Sequence, residues 1–298
     1  MIAADAIRSV VQLIMTSRAF IRIVLLFAIL ILLGCDLQER MLYFPSKDIP
    51  DEKFLSSRTM RFWPSGRDGY RGFVSTGEAR AGTGTIVVFH GNAGAASDRD
   101  YYLPALTPLG FRVLLAEYPG YGGRKGGPGE AAFVQDAHET LRIVSEQYGR
   151  PIYLLGESLG CGVAAAVAKA SPVPIDGIIL ITPWDTLLSV AKEHYPWFPV
   201  RLFLHDTYDS VANLKTYGGP VAVIGAEWDE VIPLRHAHAL YDSLQTRKRM
   251  WIIKAGGHND WSLLVGPAWW KEITDFVGRD AAQPTASPPS DGRGPRGG

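Results

Sequence analysis

Cysteine is scarce: two in 298 residues. That excludes a disulfide framework, and neither position has metal-ligand spacing. Cys161 lies in a run of small residues that reads as helix, where it is expected to be a buried free thiol. Net charge is also absent, since 30 Lys and Arg balance 30 Asp and Glu. Nucleic acid as a partner and a general attraction to anionic lipid therefore have no support. The short basic cluster Arg247-Lys248-Arg249 reads as a solvated face. There is no internal repeat. The strand-exit loops lack a GxGxxG or Walker pattern, and no histidine–carboxylate cluster suggests a metal. No cofactor and no metal are expected. What remains is a composition with 47% apolar and 20% charged residues, ordinary for a globular protein. The chain is long enough for one large core or two modest ones.

The longest apolar run lies near the N-terminus. Residues 23–34 read IVLLFAILILLG, preceded by Arg18 and Arg22. This falls short of the roughly 20 apolar residues of a membrane helix. It fits the basic region and apolar core of a secretory signal. Leu32-Leu33-Gly34-Cys35 resembles the bacterial lipoprotein signal box, in which the cysteine is lipidated after cleavage before it. A start at Met15 would make the signal compact. An uncleaved anchor helix over 10–33 and an ordinary buried helix are the alternatives. The first two place the folded domain outside the cytoplasm, anchored to a membrane through lipid on Cys35 or through a helix. At the other end, residues 281–298 contain four prolines and four glycines, and otherwise no apolar side chain larger than alanine. Such a segment cannot offset its ordering entropy and is expected to be disordered.

Between the tails, short apolar runs at 85–89, 111–116, 151–155, 178–181, 221–225 and 250–253 read as buried strands. Helical patterns follow at 128–148, from the small-residue run to about 170, at 235–244 and at 267–277. In the first, Phe133, Ala137, Leu141, Val144 and Tyr148 recur at helical spacing. In the last, Pro267 suits the first turn, and Trp270, Ile273, Phe276 and Val277 form the packed stripe. Strands alternating with helices imply a parallel sheet covered on both faces. Residues 60–63 and 70–74 read as an antiparallel pair leading into it. The stretch 183–217 is too long for an ordinary connection. With Trp184, Tyr195, Trp197, Phe198, Phe203 and Tyr208, it reads as a small helical cap at about 184–217, within one domain over 39–280.

Gly156-Glu157-Ser158-Leu159-Gly160 lies between a strand and a helix. A turn this tight strains the serine backbone and leaves no room for side chains at 156 and 160. It exposes the hydroxyl at a helix N-terminus. Serine needs a base, and the chain has only seven histidines. His258 follows the last strand in Gly256-Gly257-His258-Asn259-Asp260. Asp229 follows the fifth, with Glu227 and Glu230 as acidic competitors. Both lie past C-terminal strand ends, where open α/β sheets place their sites. The order Ser, Asp, His suits an acyl-transfer triad. Leu159 is expected to supply one backbone donor to an oxyanion, and the loop after His90-Gly91 the other, from Asn92. His90 reads as structural, its ring bonding loop backbone. His138, His194, His205, His236 and His238 read as solvent-facing or packing residues.

With these motifs the chain resembles the α/β-hydrolases, close to the serine aminopeptidase-like group. The resemblance is carried by His90-Gly91-Asn92-Ala93-Gly94, Tyr118-Pro119-Gly120-Tyr121-Gly122, Gly156 to Gly160, Asp229-x-Val231-Ile232-Pro233 and the His258 loop. Tyr195-Pro196-Trp197-Phe198-Pro199-Val200 and Leu42-Tyr43-Phe44-Pro45 add to it. It implies an α/β-hydrolase fold, a mostly parallel central sheet flanked by helices, and hydrolysis of an ester, amide or thioester. Pro119 and Arg124 depart from the family pattern, a change expected to touch the pocket rim. The aromatic cap favours a small-molecule or lipid-like ester with an apolar acyl part. The rivals are a serine aminopeptidase or amidase, and a membrane-tethered binding protein without catalysis. A charged cap residue such as Glu193 or Arg201, placed to hold a peptide terminus, would favour the peptidase.

Overall fold

Residue parity along the apolar strands divides the interior in two. The computed structural model describes residues 38–278. In chain order its strands are β1 (Phe44–Pro45), β2 (Met60–Trp63), β3 (Gly72–Ser75), β4 (Thr85–Phe89), β5 (Ala93–Gly94), β6 (Arg112–Ala116), β7 (Ile152–Glu157), β8 (Gly177–Ile181), β9 (Val221–Ala226) and β10 (Lys248–Ile253). Val87, Phe89, Leu114, Leu154, Ile178, Leu180, Val221 and Val223 face one core. Their neighbours Ile86, Val88, Val113, Leu115, Leu155, Ile179, Ala222 and Ile224 face the other. A sheet buried on both faces needs apolar residues at every position, which is why these strands lack polar alternation.

The main sheet has the order β10-β9-β8-β7-β4-β6-β3-β2. From β10 to β6 all pairs are parallel. β3 runs antiparallel to both β6 and β2. β1 and β5 form a separate two-stranded parallel pair. The helices are α1 (Glu52–Ser57), α2 (Tyr102–Leu106), α3 (Glu130–Tyr148), α4 (Leu159–Lys169), α5 (Leu187–His194), α6 (Ser210–Leu214), α7 (Leu234–Ser243) and α8 (Pro267–Gly278). Phe133, Ala137, Leu141 and Val144 of α3 are buried, as their spacing predicts. Trp270, Ile273, Phe276 and Val277 of α8 are buried on the opposite face.

Past β8 the chain leaves the sheet through α5, a single 3-10 turn at Val200–Leu202 and α6. The aromatic residues of this stretch divide. Trp184 and Tyr208 are core: both are buried, and the Trp184 Nε1–H donates to the Tyr208 carbonyl at 3.0 Å. Tyr195, Trp197, Phe198 and Phe203 line an open cavity, which the buried Trp184 also borders.

The solvated-face reading of the basic cluster holds for Arg249, which is exposed near the start of the edge strand β10. Lys248 is partly buried there, and its Nζ donates to the carbonyls of Tyr241 and Leu244 at the end of α7, at 2.7 and 2.9 Å. The expected membrane-anchored placement needs correction. Among the described residues no helix is long and apolar enough to cross a membrane. The longest, α3, carries Glu130, Asp136, Glu139, Arg142 and Glu146 along its length. Residues 23–34, Cys35 and the tail 281–298 lie outside the described residues.

Candidate active site

β7 and β4 are neighbours in the sheet, so the turns leaving their C-terminal ends lie side by side. The turn after β7 carries Ser158 with φ 53° and ψ −117°, a left-handed backbone rare for a residue with a side chain. Two glycines make the turn possible. A Cβ on Gly160 would sit 1.9 Å from the Phe89 carbonyl oxygen, and one on Gly156 would sit 2.6 Å from the Cys161 backbone nitrogen. The Ser158 N–H donates to the Ile181 carbonyl of β8 at 2.9 Å. Ser158 thus stands at the N-terminus of α4, where the first backbone N–H groups have no partner within the helix.

His258 comes from the loop after β10 and Asp229 from the loop after β9. His258 Nε2 lies 3.0 Å from Ser158 Oγ. His258 Nδ1 lies 2.8 Å from Asp229 Oδ2. The other carboxylate oxygen, Oδ1, accepts the N–H groups of Val231 and Ile232 at 2.9 and 2.6 Å. These bonds settle the tautomer: Nδ1–H donates to Asp229, and Nε2 accepts from the serine hydroxyl. The Asp229 side chain is 1% exposed and that of His258 9%, so the couple is shielded from water. The acidic competitors are elsewhere. Glu227 pairs with Lys254 at 2.7 Å and accepts the Ala255 N–H, contacts that hold its carboxyl below the ordinary range. Glu230 is exposed.

Asn92 follows β4 across from Leu159, and both line the cavity beside Ser158. The Asn92 carbonyl accepts the Phe44 N–H at 2.9 Å and the Tyr121 hydroxyl at 2.7 Å. Its side-chain amide donates to the Leu42 carbonyl at 3.0 Å. The Asn92 peptide is therefore pinned from two sides. His90 is buried beneath this loop. Its Nδ1 lies 2.8 Å from the Gly91 carbonyl, as its structural reading requires. Its Nε2 faces Glu117 Oε1 at 3.1 Å, a partner the sequence pattern did not reveal.

The cavity over Ser158 measures about 550 Å³. Leu187, Val190 and Ala191 of α5, Phe198 and Phe203 of the cap, and Val231 and Ile232 of the Asp229 loop form much of its wall. His194 Nε2 meets the Val231 carbonyl at 2.8 Å, tying α5 to the loop that holds Asp229. His236, expected as solvent-facing or packing, is buried between two cap carboxylates. It lies 2.9 Å from Asp185 and 3.0 Å from Glu193. Arg124 does not reach the cavity rim. It makes a two-pronged pair with Asp136 of α3 at 2.7 and 2.8 Å, which braces the loop after β6. Cys161 is buried, with Sγ 3.1 Å from the Gly156 and Ile181 carbonyls. Burial pushes its thiol well above the ordinary range.

Comparison with known proteins agrees with this fold. The family model "Serine aminopeptidase, S33" matches residues 81–199. Uncharacterized protein Rv2307c of Mycobacterium tuberculosis is 33% identical over 246 residues, covering 80% of this chain and 87% of its own length. The chain belongs to the α/β-hydrolase family. This hydrolase is also 30% identical over 176 residues to the Mus musculus lysophosphatidylserine lipase ABHD12, covering 53% of this chain and 44% of that protein. Among solved structures, the Pyrococcus furiosus esterase Pf2001 matches with a TM-score of 0.61 at 13% identity, over 80% of this chain and 97% of that one. At that identity the likeness concerns the fold. The Ser158–His258–Asp229 arrangement on this fold is that of a serine hydrolase acting on an acyl bond.

Proposed function

We propose that this hydrolase is a carboxylesterase that takes esters with an apolar acyl chain. The observation that carries this reading is the wall of the cavity over Ser158. Among the described residues no Asp, Glu, Lys or Arg lines it. A serine aminopeptidase must hold a charged amino terminus near the scissile bond, and an uncompensated charge in an apolar cavity is costly. The two cap residues that could have held a peptide terminus lie elsewhere. Glu193 binds Arg235 and His236, and Arg201 is exposed. Similarity to a protein named as a lysophosphatidylserine lipase supports an ester of lipid type.

The reaction follows from the tautomer. His258 Nε2 takes the hydroxyl proton as Ser158 Oγ attacks the acyl carbon, and Asp229 stabilises the imidazolium that forms. The negative charge on the former carbonyl oxygen is received by the N–H groups of Leu159 and Asn92, each worth about 3 kcal/mol in the transition state. The imidazolium then protonates the departing alkoxide. Water, activated by the same ring, releases the acid from Ser158. His90 and Gly91 shape the donor loop, and Gly156 and Gly160 shape the nucleophile turn.

A p-nitrophenyl ester series from acetate to decanoate, set beside aminoacyl anilides, tests the proposal. Each methylene buried in the cavity contributes about 0.8 kcal/mol, so kcat/KM should rise roughly fourfold per CH₂ until the cavity is filled. The anilides should be turned over poorly. A preference for aminoacyl anilides over all esters would overturn the esterase reading.

A further inference from the structure

Glu157 precedes the nucleophile, yet its carboxylate turns into the protein. Oε1 accepts Arg99 Nε at 3.0 Å, and Oε2 accepts the Tyr102 hydroxyl at 2.7 Å and the Tyr101 hydroxyl. The same guanidinium reaches a second element. Arg99 Nη2 donates to the Ala93 carbonyl, one residue past Asn92, at 3.2 Å. Gly91 lies between the two ends of this bridge: a Cβ built there would sit 3.5 Å from Arg99 Nη2 and 3.6 Å from Ser158 Cβ. One side chain therefore spans the nucleophile turn after β7 and the donor loop after β4.

Two amides can share one oxyanion only if both lie within about 2.7–3.1 Å of it. Leu159 belongs to one element and Asn92 to the other, so their separation is a property of the junction. The hydrogen bonds of Asn92 itself run to Leu42, Phe44 and Tyr121, none of which belongs to the nucleophile turn. Close packing of Gly160 against Phe89 brings the two elements together. The Arg99 fork adds directed hydrogen bonds to both, and a planar guanidinium fixes the angle between them as an ammonium cannot.

We propose that Arg99 is a positioning residue that sets the separation of the Leu159 and Asn92 amides by holding Glu157 and the Ala93 carbonyl at once. The proposal rests on the serine-hydrolase reading above. The test compares wild type, Arg99→Lys, Arg99→Met and Tyr102→Phe in the full chain. The readouts are kcat and KM on p-nitrophenyl butyrate, the affinity of an alkyl trifluoromethyl ketone, and Tm. The ketone is an oxyanion probe because serine adds to it to give a tetrahedral alkoxide. Lysine can pair with Glu157 but cannot fork to Ala93. Both Arg99 variants should lose about 10- to 100-fold in kcat, with KM within about threefold. Ketone affinity should fall in proportion to kcat/KM. Arg99→Lys should keep a Tm close to wild type. Tyr102→Phe removes a bond to the same carboxylate but leaves the bridge, so its kcat should stay within about threefold of wild type. Wild-type kcat and ketone affinity in folded Arg99→Lys would overturn the proposal. An equal loss in Tyr102→Phe would overturn it too, by assigning the effect to support of Glu157. If wild type itself neither turns over the ester nor binds the ketone, the hydrolase reading fails instead.

Discussion

The two oxygens of Asp229 have separate tasks, and this makes one substitution informative. Oδ1 is occupied by the N–H groups of Val231 and Ile232, and Oδ2 faces His258 Nδ1. In Asp229→Asn the amide NH₂ cannot face two backbone donors, so it must face His258. The ring is then forced into the tautomer with its proton on Nε2, pointing at a serine it can no longer deprotonate. The variant should fold normally, keep KM within a few-fold, and lose about 10⁴-fold in kcat. Steady-state kinetics beside a thermal melt decide it. A loss below tenfold in a folded variant would mean that Asp229 does not set the tautomer.

At the scale of elements, the sequence is informative where a strand is an apolar run closed by a turn. β4 and the β2 segment match their sequence-read bounds, and β6 to β9 differ from theirs by a residue or two. The strand exits carrying Ser158, Asp229 and His258 were legible for the same reason, since a sheet buried on both faces shows its strand ends as abrupt changes from apolar to polar. The apolar signal of β10 begins two residues late because an edge strand exposes alternate residues. Arg249 is exposed there and lies over the Trp251 ring at 4.6 Å. The two-residue strands β1 and β5 carry no periodic signal at all. Polar partnerships were the least legible. Glu157 with Arg99, His90 with Glu117, and His236 with Asp185 and Glu193 each join residues more than 20 positions apart or on opposite elements. Hydrophobic period records which face is buried, and it says nothing about which polar groups meet there. His194 was legible as a cap residue, but its bond to the Val231 carbonyl depends on how α5 lies over the Asp229 loop.

For the molecule as a whole, buried phenols tie stability to alkaline pH. Desolvation, and then the nearby Glu157, raise Tyr102 well above the ordinary tyrosine range. Desolvation, and then neighbouring phenols, do the same for Tyr118 and Tyr208. Burial pushes Tyr153 up to about 12. In the unfolded chain these groups ionise near pH 10. A raised folded value means that the unfolded state releases protons first as pH rises. The contribution to stability is therefore complete below about pH 10 and is lost progressively above it. Urea midpoints should fall between about pH 9 and pH 11, and phenolate absorbance should develop together with unfolding. Full tyrosine ionisation near pH 10 in a still-folded chain would contradict this burial. The central claim, that Ser158 forms an acyl-enzyme, is tested most directly by fluorophosphonate labelling of wild type and Ser158→Ala, with the modified peptide located by mass spectrometry. Wild type should be labelled on Ser158 and the variant should not react, whereas equal labelling of both proteins would contradict the assignment.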